Sequence, residues 1–207
     1  MKFIKAILLL FVLIITVSCM NESDYYRRGI EKSEAEDYEG AILDFSKAIE
    51  LDKSFIDAYR RRGMCKYYLG DYEGEMLDYS EAIKINPKNY YSYEAYYYRG
   101  LAKIDLGDYK GAIADITKDV EFEKTSWLGY AKRGLAKYYL KDYQGAIKDC
   151  SKAIEIHEYM GYSYYVRGIT KLKINDFKGA CLDLEKADEF HTEDGIKCRD
   201  TIAKYCK

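Results

Sequence analysis

Apolar and small residues recur along the chain at helical spacing, and short polar turns interrupt them at regular intervals. Each turn carries an aspartate followed by an aromatic residue, with a glycine two positions further on. The five pairs are Asp37-Tyr38, Asp71-Tyr72, Asp108-Tyr109, Asp142-Tyr143 and Asp176-Phe177. Aspartate caps helix N-termini by accepting from free backbone N–H groups, so each turn predicts the start of a second helix.

The pattern predicts five pairs of helices and one further helix. The pairs are predicted at 22–35 with 39–51, 57–69 with 73–85, 93–106 with 110–122, 127–140 with 144–156, and 161–174 with 178–190. Between Asn86 and Ser92 the spacing is longer than elsewhere, which predicts either a loop or a lengthened helix start after Pro87. A helix at 193–205 is expected to cap the last pair with a more polar outer surface.

Small residues occupy fixed positions in these pairs. Glycines recur at a near-constant interval in the first helices, at Gly29, Gly63, Gly100, Gly134 and Gly168. Glycine inside a helix costs about 1 kcal/mol relative to alanine, so the repetition predicts close helix packing. We expect these glycines to face Ala41, Ala112, Ala146 and Ala180, with Glu75 as the exception. We also expect small residues of the second helices to pack toward the next pair. These are Ala48, Ala82, Ala153 and Ala187, with Asp119 as the exception.

These features resemble the tetratricopeptide repeat family over residues 22–192, because that family repeats a two-helix unit about every 34 residues. The resemblance implies an all-α, right-handed α-solenoid of five helical hairpins plus a C-terminal capping helix at 193–207. The repeats would be 22–55, 56–92, 93–126, 127–160 and 161–192. A single hairpin cannot bury its apolar faces alone, so neighbouring hairpins are expected to stack.

Charged residues also repeat, and here the chain departs from the family pattern. Arginine precedes each glycine, where the family more often has leucine: Arg28, Arg62, Arg99, Arg133 and Arg167. Lysine follows four positions later in every repeat, at Lys32, Lys66, Lys103, Lys137 and Lys171. The second helices carry Asp44, Asp78, Asp115, Asp149 and Asp183. We predict that each arginine pairs with the aspartate of its own or a neighbouring hairpin, forming a charged ladder. The alternative is a solvated charged face.

The chain begins with the segment MKFIKAILLLFVLIITVSC, which combines two lysines with a short apolar run and a small residue before cysteine. That run is short for a membrane span and fits a signal peptide at 1–18. Ser18-Cys19 resembles the lipobox of bacterial lipoproteins, although Thr16 stands where leucine is usual. The resemblance implies lipidation of Cys19 and a short tether at 19–23. Ordinary secretory cleavage and an uncleaved anchor are the alternatives.

The leader predicts an extracytoplasmic, membrane-anchored protein of the cell envelope. Because Met20 rather than aspartate follows Cys19, a two-membrane bacterium would place it at the outer membrane. Acidic residues number 35 and basic residues 33, so no basic excess indicates nucleic-acid binding. Leaving out Lys2 and Lys5 of the leader makes the remaining chain more acidic still.

Recognisable catalytic or cofactor motifs are missing from the sequence, and we expect neither an enzyme nor a cofactor. His157 and His191 end two second helices, where they suit the helix dipole better than a metal site. Cys65 takes a small-residue position, and Cys150 and Cys181 take core positions. A disulfide between Cys181 and Cys198 would tie the cap to the last repeat, although the sequence cannot show the geometry that a disulfide requires.

The family resemblance implies that the first helices line a concave, tyrosine-rich groove that contacts ligands. The implied positions are Tyr26, Arg60, Met64, Tyr67, Tyr68, Glu94, Tyr97, Leu101, Asp105, Leu128, Leu135, Tyr138, Tyr139, Tyr162, Tyr165 and Leu172. We expect about half of them to be accessible, because packing between neighbouring repeats competes for the same side chains. The carboxylate clamp of some family members is absent, because its places hold Tyr26, Ile30, Arg61, Glu94 and Tyr98.

Two functions are compatible with this pattern. The first is a membrane-tethered scaffold that binds a protein or peptide in the groove. The second is a structural module of the cell envelope that self-associates.

Overall fold

The computed structural model describes residues 20–190 and 195–206, and these residues form eleven helices and no strand. In chain order they are α1 (Glu22–Glu34), α2 (Tyr38–Leu51), α3 (Ile56–Tyr68), α4 (Tyr72–Ile85), α5 (Tyr90–Asp105), α6 (Tyr109–Phe122), α7 (Trp127–Tyr139), α8 (Tyr143–Ile156), α9 (Gly161–Lys173), α10 (Phe177–Glu189) and α11 (Gly195–Tyr205). The fold is therefore all-α and of the helical-repeat class, as the sequence predicted. Cys19, the rest of the leader and His191 lie outside the described residues.

The helix boundaries lie close to the predicted ones. Each second helix begins one position earlier than predicted, at the aromatic residue of the turn. The longer spacing in the middle of the chain extends the start of α5, which begins at Tyr90 and is 16 residues long. Of the two alternatives for residues 86–92, the lengthened helix start is therefore the one observed.

Each turn is closed by its aspartate, as predicted. Asp142 caps α8 by accepting a hydrogen bond of 3.0 Å from the backbone N–H of Gly145. The carboxylate fills the space where a Cβ at Gly145 would lie, so the glycine is required for the cap. The residue before each aspartate has a φ between 60° and 80°, a conformation that ends the preceding helix. These residues are Glu36, Gly70, Gly107, Lys141 and Asn175.

The chain divides into two compact units, with the boundary inside α5 between Ala95 and Tyr96. In the first unit, the core is built from small and aromatic side chains of adjacent helices. Phe45 and Ala41 pack with Cys65, and Ala48 packs with Ala58 of the next hairpin. A Cβ at Gly29 would lie 2.7 Å from the Phe45 ring, so the glycine makes room mainly for that ring rather than for Ala41.

In the second unit the same close approach joins α7 to α8. A Cβ at Gly134 would lie 2.7 Å from the Cys150 sulfur and 3.3 Å from the carbonyl oxygen of Ala146. Cys150 is fully buried, as is Cys65 in the first unit, in agreement with their predicted packing roles. The glycine positions are therefore tight contacts with the second helix of the same hairpin.

The helix α11 covers the last hairpin and is covalently attached to it. Ile202 packs against Leu184 and Ala187 of α10, and a disulfide joins Cys181 to Cys206 with a Cα–Cα distance of 5.6 Å. The predicted Cys181–Cys198 pairing is wrong. Because α10 and α11 are antiparallel, the start of α10 meets the end of α11, where Cys206 lies. Cys181 is half-buried rather than a core residue.

The start of α11 follows the repeat period. Gly195 follows Gly161, the first residue of α9, by the same interval that separates Gly161 from Trp127, the first residue of α7. The capping helix therefore begins where the first helix of a sixth hairpin would begin. Its Ile202 takes the position held by glycine in the five hairpins, where a second helix would otherwise pack closely.

Candidate functional site

Each hairpin contains a charged triad that joins its two helices. Arg133 of α7 donates from Nε and Nη2 to the two carboxylate oxygens of Asp149 in α8, each over 2.7 Å, and Lys137 Nζ lies 2.7 Å from Oδ2. Asp149 is buried, with 5% of its side chain exposed. The equivalent triads are Arg28–Lys32–Asp44, Arg62–Lys66–Asp78, Arg99–Lys103–Asp115 and Arg167–Lys171–Asp183. Every triad arginine thus pairs within its own hairpin.

A tyrosine ring lies against each of these arginines, and Arg62, Arg133 and Arg167 also donate to a hydroxyl; neither contact was among the predictions from the sequence. The Arg133 guanidinium lies 5.3 Å from the ring centroid of Tyr130, and its Nη1 donates to the Thr117 hydroxyl of the preceding hairpin over 3.2 Å. The same tyrosine position is used at Tyr25, Tyr59, Tyr96 and Tyr164. The recurring Tyr-x-x-Arg-Gly sequence was the available signal.

The hydroxyl contacts link successive hairpins within a unit. Arg62 donates to Ser46 and Arg167 donates to Ser151, each over 3.0 Å. In the sequence, serine or threonine follows two positions after the triad aspartate in the first four repeats, whereas the fifth has Glu185. Arg62, Arg133 and Arg167 therefore have a structural role, since each joins its own hairpin to a hydroxyl of the hairpin before it.

The triads also change the acidity of their members. Burial acts to raise the pKa of Asp44, but hydrogen bonds from Arg28 and Lys32 outweigh burial and hold that pKa below its usual value. Burial acts to lower the pKa of Arg133, whereas the hydrogen bond and charge of Asp149 raise it above the usual value. Both groups stay charged near neutral pH, so the triads remain ion pairs there.

A polar chain crosses the first helices of the first unit. The Tyr26 hydroxyl of α1 donates to Asp57 of α3, Arg60 Nε donates to the other Asp57 oxygen over 2.7 Å, and Arg60 Nη1 lies 3.1 Å from Glu94 of α5. Arg60 also lies over the Tyr91 ring at 5.5 Å. Arg60 is only 7% exposed and is enclosed by these partners, and its predicted contact with a ligand stays a prediction.

Tyr26 is likewise part of the packing between hairpins. Its ring centroid lies 4.8 Å from that of Phe55 and 5.8 Å from that of Phe45. Burial, together with the hydrogen bond to Asp57, raises the pKa of Tyr26 to about 12. Met64 accepts a weak contact of 3.5 Å from Arg60 Nη1. In the first unit, the polar side chains Tyr26, Asp57, Arg60 and Glu94 of the first helices therefore bond mainly to one another.

Tyrosines at the C-terminal ends of α3 and α7 pack toward neighbouring turns. Tyr68 stacks on Tyr38 with centroids 4.7 Å apart, and Tyr139 stacks on Tyr109 at 4.6 Å. Their neighbour Tyr67 contacts Tyr72 edge-on at 6.0 Å. This arrangement corresponds to the alternative in which tyrosines pack between repeats, although Tyr67, Tyr68 and Tyr139 remain about half exposed.

In the second unit, α7 and α9 contact each other directly, and their shared face is aromatic. Lys132 Nζ lies 4.3 Å from the Tyr162 ring centroid. Tyr97 of α5 is half-buried. Its pKa is raised well above its usual range, mainly by burial and to a smaller extent by charge interactions with nearby groups. The family resemblance did not predict Lys132, since Lys132 lies outside the ligand-contact positions that the resemblance implies.

Sixteen groove residues were predicted. Leaving out Asp105, Leu128 and Leu172, the other thirteen fall into three groups by the exposed fraction of the residue. Arg60 is buried. Tyr67, Tyr68 and Tyr139 are exposed, at 48%, 58% and 48%. The half-buried residues are Tyr26, Met64, Glu94, Tyr97, Leu101, Leu135, Tyr138, Tyr162 and Tyr165. Tyr165 and Leu172 also pack against the Leu184 and Ala187 core. Ligand contact by any of these residues stays a prediction.

The histidines and acidic groups of the described chain do not converge on a metal site. In residues 20–190 and 195–206, no group of three histidine, cysteine or acidic side chains is arranged to hold a metal ion. His157 lies 5.9 Å from the Trp127 ring at the end of α8. Within those residues, none of the helices combines the length and apolarity needed for a membrane span.

Comparison with known proteins agrees with this geometry. Residues 56–89 match the model of the tetratricopeptide repeat family. A MamA structure from Desulfovibrio magneticus RS-1 is 18% identical with a TM-score of 0.76, covering 82% of this chain and 94% of that chain. YrrB, described as a TPR protein with an unusual peptide-binding site, is 19% identical with a TM-score of 0.74, covering 88% and 93%. The curated proteins gave no significant match. At these identities the structural likeness shows the fold alone.

Proposed function

We propose that this chain, which has the fold of tetratricopeptide repeat proteins, is a non-enzymatic scaffold that binds a protein or peptide partner on its first-helix faces. The scaffold is tethered to the extracytoplasmic side of a membrane through its N-terminal leader and Cys19. The partner site is the aromatic face shared by α7 and α9, with Tyr97 of the same unit.

The observation that carries this proposal is the juxtaposition of Lys132 and Tyr162 on the face shared by α7 and α9. Tyrosine offers a large apolar surface and a hydroxyl while losing little conformational entropy, which suits partner recognition. Leu135 and Tyr138, both half-buried, follow Lys132 on α7 by three and six positions. The face therefore offers aliphatic and aromatic contacts together with one cation.

The charges of the triads and of Arg60 are already paired, which favours recognition of a partner through apolar and tyrosine contacts. Each triad aspartate is already bound by an arginine and a lysine, and Arg60 is already bound by Asp57 and Glu94. Breaking a buried pair costs about 3–5 kcal/mol, so a partner gains little by competing for these groups. Apolar and tyrosine contacts are the available source of affinity, and YrrB offers a precedent in its fold for peptide binding.

Site-specific photocrosslinking tests the partner face. A benzophenone amino acid at position 162 is expected to capture a discrete partner in native envelopes. The matched control places the same group at Glu155 of α8, whose side chain is 68% exposed in the same unit but lies on a second helix. Capture at position 155 with none at position 162 would reject the face, and equal capture at both would reject specific binding there.

The tether is tested separately. Disulfides persist mainly in oxidising, extracytoplasmic compartments, so the Cys181–Cys206 bond supports export of the chain. We expect Cys19→Ser to release the protein from membranes and to change its electrophoretic mobility, because the acyl chains would no longer be attached. Unchanged membrane association in this variant would contradict the lipid anchor.

Self-association is the second candidate function. Leu43 and Leu77 occupy equivalent positions in α2 and α4 and are 69% and 68% exposed, which is unusual for two large aliphatic side chains at the same repeat phase. A second copy would cover them. Sedimentation of residues 20–207 tests this: a dimer lost in Leu43→Lys/Leu77→Lys supports it, and a concentration-independent monomer contradicts it.

A further inference from the structure

One edge of the first unit lies immediately beside the proposed lipid anchor. Successive helices in stacked hairpins are antiparallel, so the N-terminus of α1 lies at the same edge as the α2–α3 and α4–α5 junctions. We call this the loop edge and define it as residues 20–21, 51–55 and 86–91. The hairpin turns of the unit lie at the opposite edge.

The distance between the anchor and the loop edge is short. Asn21 is the N-cap of α1, and a reciprocal pair of hydrogen bonds with Asp24, of 2.9 and 3.2 Å, holds it there. Cys19 precedes Asn21 by two positions, and an extended chain spans at most about 3.6 Å per residue. A lipid on Cys19 therefore keeps the start of α1 within about 7 Å of the headgroups.

The loop edge carries the side chains expected at a lipid–water interface. Leu51 is 57% exposed and Tyr90 is 55% exposed, and the Tyr90 ring contacts Tyr91 edge-on at 5.6 Å. Lys53 and Lys88 are also exposed. Tyrosine and lysine side chains are favourable at the headgroup level because each combines an apolar body with a polar end.

Acidic groups of the loop edge are already engaged within the protein. Asp52 of the loop edge accepts from the backbone and hydroxyl of Ser54 over 2.8 and 2.6 Å, and Glu50, just before the loop edge, pairs with Lys47 at 2.6 Å. Among the described residues, no carboxylate lies within 4.0 Å of the Lys53 or Lys88 amine. Asn86 and Asn89 accept from backbone N–H groups and shape the second loop.

We infer that the loop edge of the first unit rests on the lipid surface, with Leu51 and Tyr90 at the boundary between headgroups and acyl chains. Lys53 and Lys88 then lie beside the lipid phosphates. This inference rests on the proposed Cys19 anchor and adds an orientation to it: the turn edge, with Leu69 and Tyr72, points away from the membrane.

The anchor makes a weak surface effective. One leucine and one tyrosine bury too little area to hold a protein at a membrane alone, but tethering turns their contact into an intramolecular event. The leaderless protein is accordingly expected to bind phosphatidylcholine vesicles poorly. Because apolar contacts dominate, the contact of the lipidated protein is expected to depend little on salt.

Fluorescence quenching by brominated lipid tests the orientation in the full lipidated protein. The background is Trp127→Phe, so that a single introduced tryptophan reports position. Tyr90→Trp places the probe on the loop edge, and Leu69→Trp, at a site 48% exposed on the turn edge, is the matched control. Vesicles of phosphatidylcholine with and without dibrominated acyl chains are compared, after far-UV circular dichroism has shown equal folding.

We expect about twofold lower emission from the tryptophan at position 90 in brominated vesicles and unchanged emission from the tryptophan at position 69. Equal quenching at both positions, quenching at neither, or quenching at position 69 alone would overturn the orientation. Vesicle flotation is read in parallel, because a protein that fails to float refutes the anchor itself and the inference with it. Flotation without quenching at position 90 refutes only the inference.

Discussion

Arg133 of α7 meets Asp149 of α8 through two parallel hydrogen bonds of 2.7 Å, from Nε and from Nη2. This bidentate arrangement fixes the relative rotation of the two helices, since both donor nitrogens must stay in the carboxylate plane. Lys137 supplies a second cation to the same carboxylate, and Tyr130 lies against the guanidinium. Five hairpins repeat this arrangement, which makes it the main polar determinant of hairpin geometry.

Breaking this pair is expected to destabilise the hairpin strongly. Arg133→Met leaves Asp149, with 5% of its side chain exposed, without its bidentate partner, and we expect a loss of about 3 kcal/mol in the free energy of unfolding. A double-mutant cycle with Asp149→Leu in urea unfolding checks this. The double variant is expected to be more stable than the sum of the single losses predicts, by about 2 kcal/mol. Additive losses would show that the two side chains do not interact.

Acid is expected to weaken the first hairpin through Asp44. Its pKa is lowered in the folded protein, so the unfolded chain binds the proton more readily. The stability contributed by the carboxylate is fully present above about pH 4 and is lost as the pH falls through the folded pKa. Asp44→Asn should therefore be less stable than the native protein at neutral pH, with a difference that shrinks below about pH 4. Urea unfolding across pH checks this, with the exposed Glu39→Gln as control; a pH-independent difference would contradict it.

Gly134 is expected to tolerate no side chain while Cys150 is present. The added methyl group of Gly134→Ala would lie 2.7 Å from the Cys150 sulfur, so overpacking should outweigh the gain in helix propensity and cost about 1–2 kcal/mol. Cys150→Ala removes that sulfur. In thermal or urea unfolding, the double variant should lose less stability than the two single losses combined. A Gly134→Ala variant as stable as the native protein would contradict the tight contact.

Reduction of the Cys181–Cys206 disulfide is expected to loosen α11 before the hairpins unfold. The bond closes a segment with a sequence separation of 25, for which a stabilisation of about 3 kcal/mol is typical. Hydrogen exchange of α11 amides should accelerate in reductant, and that of α7 amides should not. Cys206→Ser is the control, because its α11 should exchange rapidly with or without reductant. Equal α11 protection in the oxidised, reduced and Cys206→Ser forms would show that packing alone holds the cap.

The hairpins were predictable from the sequence because their determinants are local and repeated. Asp142 caps the helix that begins at the very next residue, and its glycine partner lies three positions away. The Arg–Asp pairs were predictable in kind, since opposite charges recur at constant phase. What the sequence left open was whether a pair forms within a hairpin or between hairpins, because both geometries have the same period.

Features that join distant segments were harder to predict. Arg60 is buried because Asp57 and Glu94 reach it from two helices, and the position of Glu94 depends on the lengthened start of α5. The disulfide partner of Cys181 depends on the antiparallel direction of α11, which places Cys206 rather than Cys198 beside it. Such contacts depend on tertiary packing, which residue spacing along the chain alone does not determine.

The phase of α11 makes the array extensible. Since Gly195 follows Gly161 by the same interval that separates Gly161 from Trp127, one more hairpin inserted ahead of α9 would leave the phase of every later helix unchanged. The last hairpin, which carries Cys181, and the terminal helix, which carries Cys206, would travel together as an end-piece. A gene of this design can gain or lose whole repeats ahead of that end-piece while every resulting protein still ends in a covalently fastened cap.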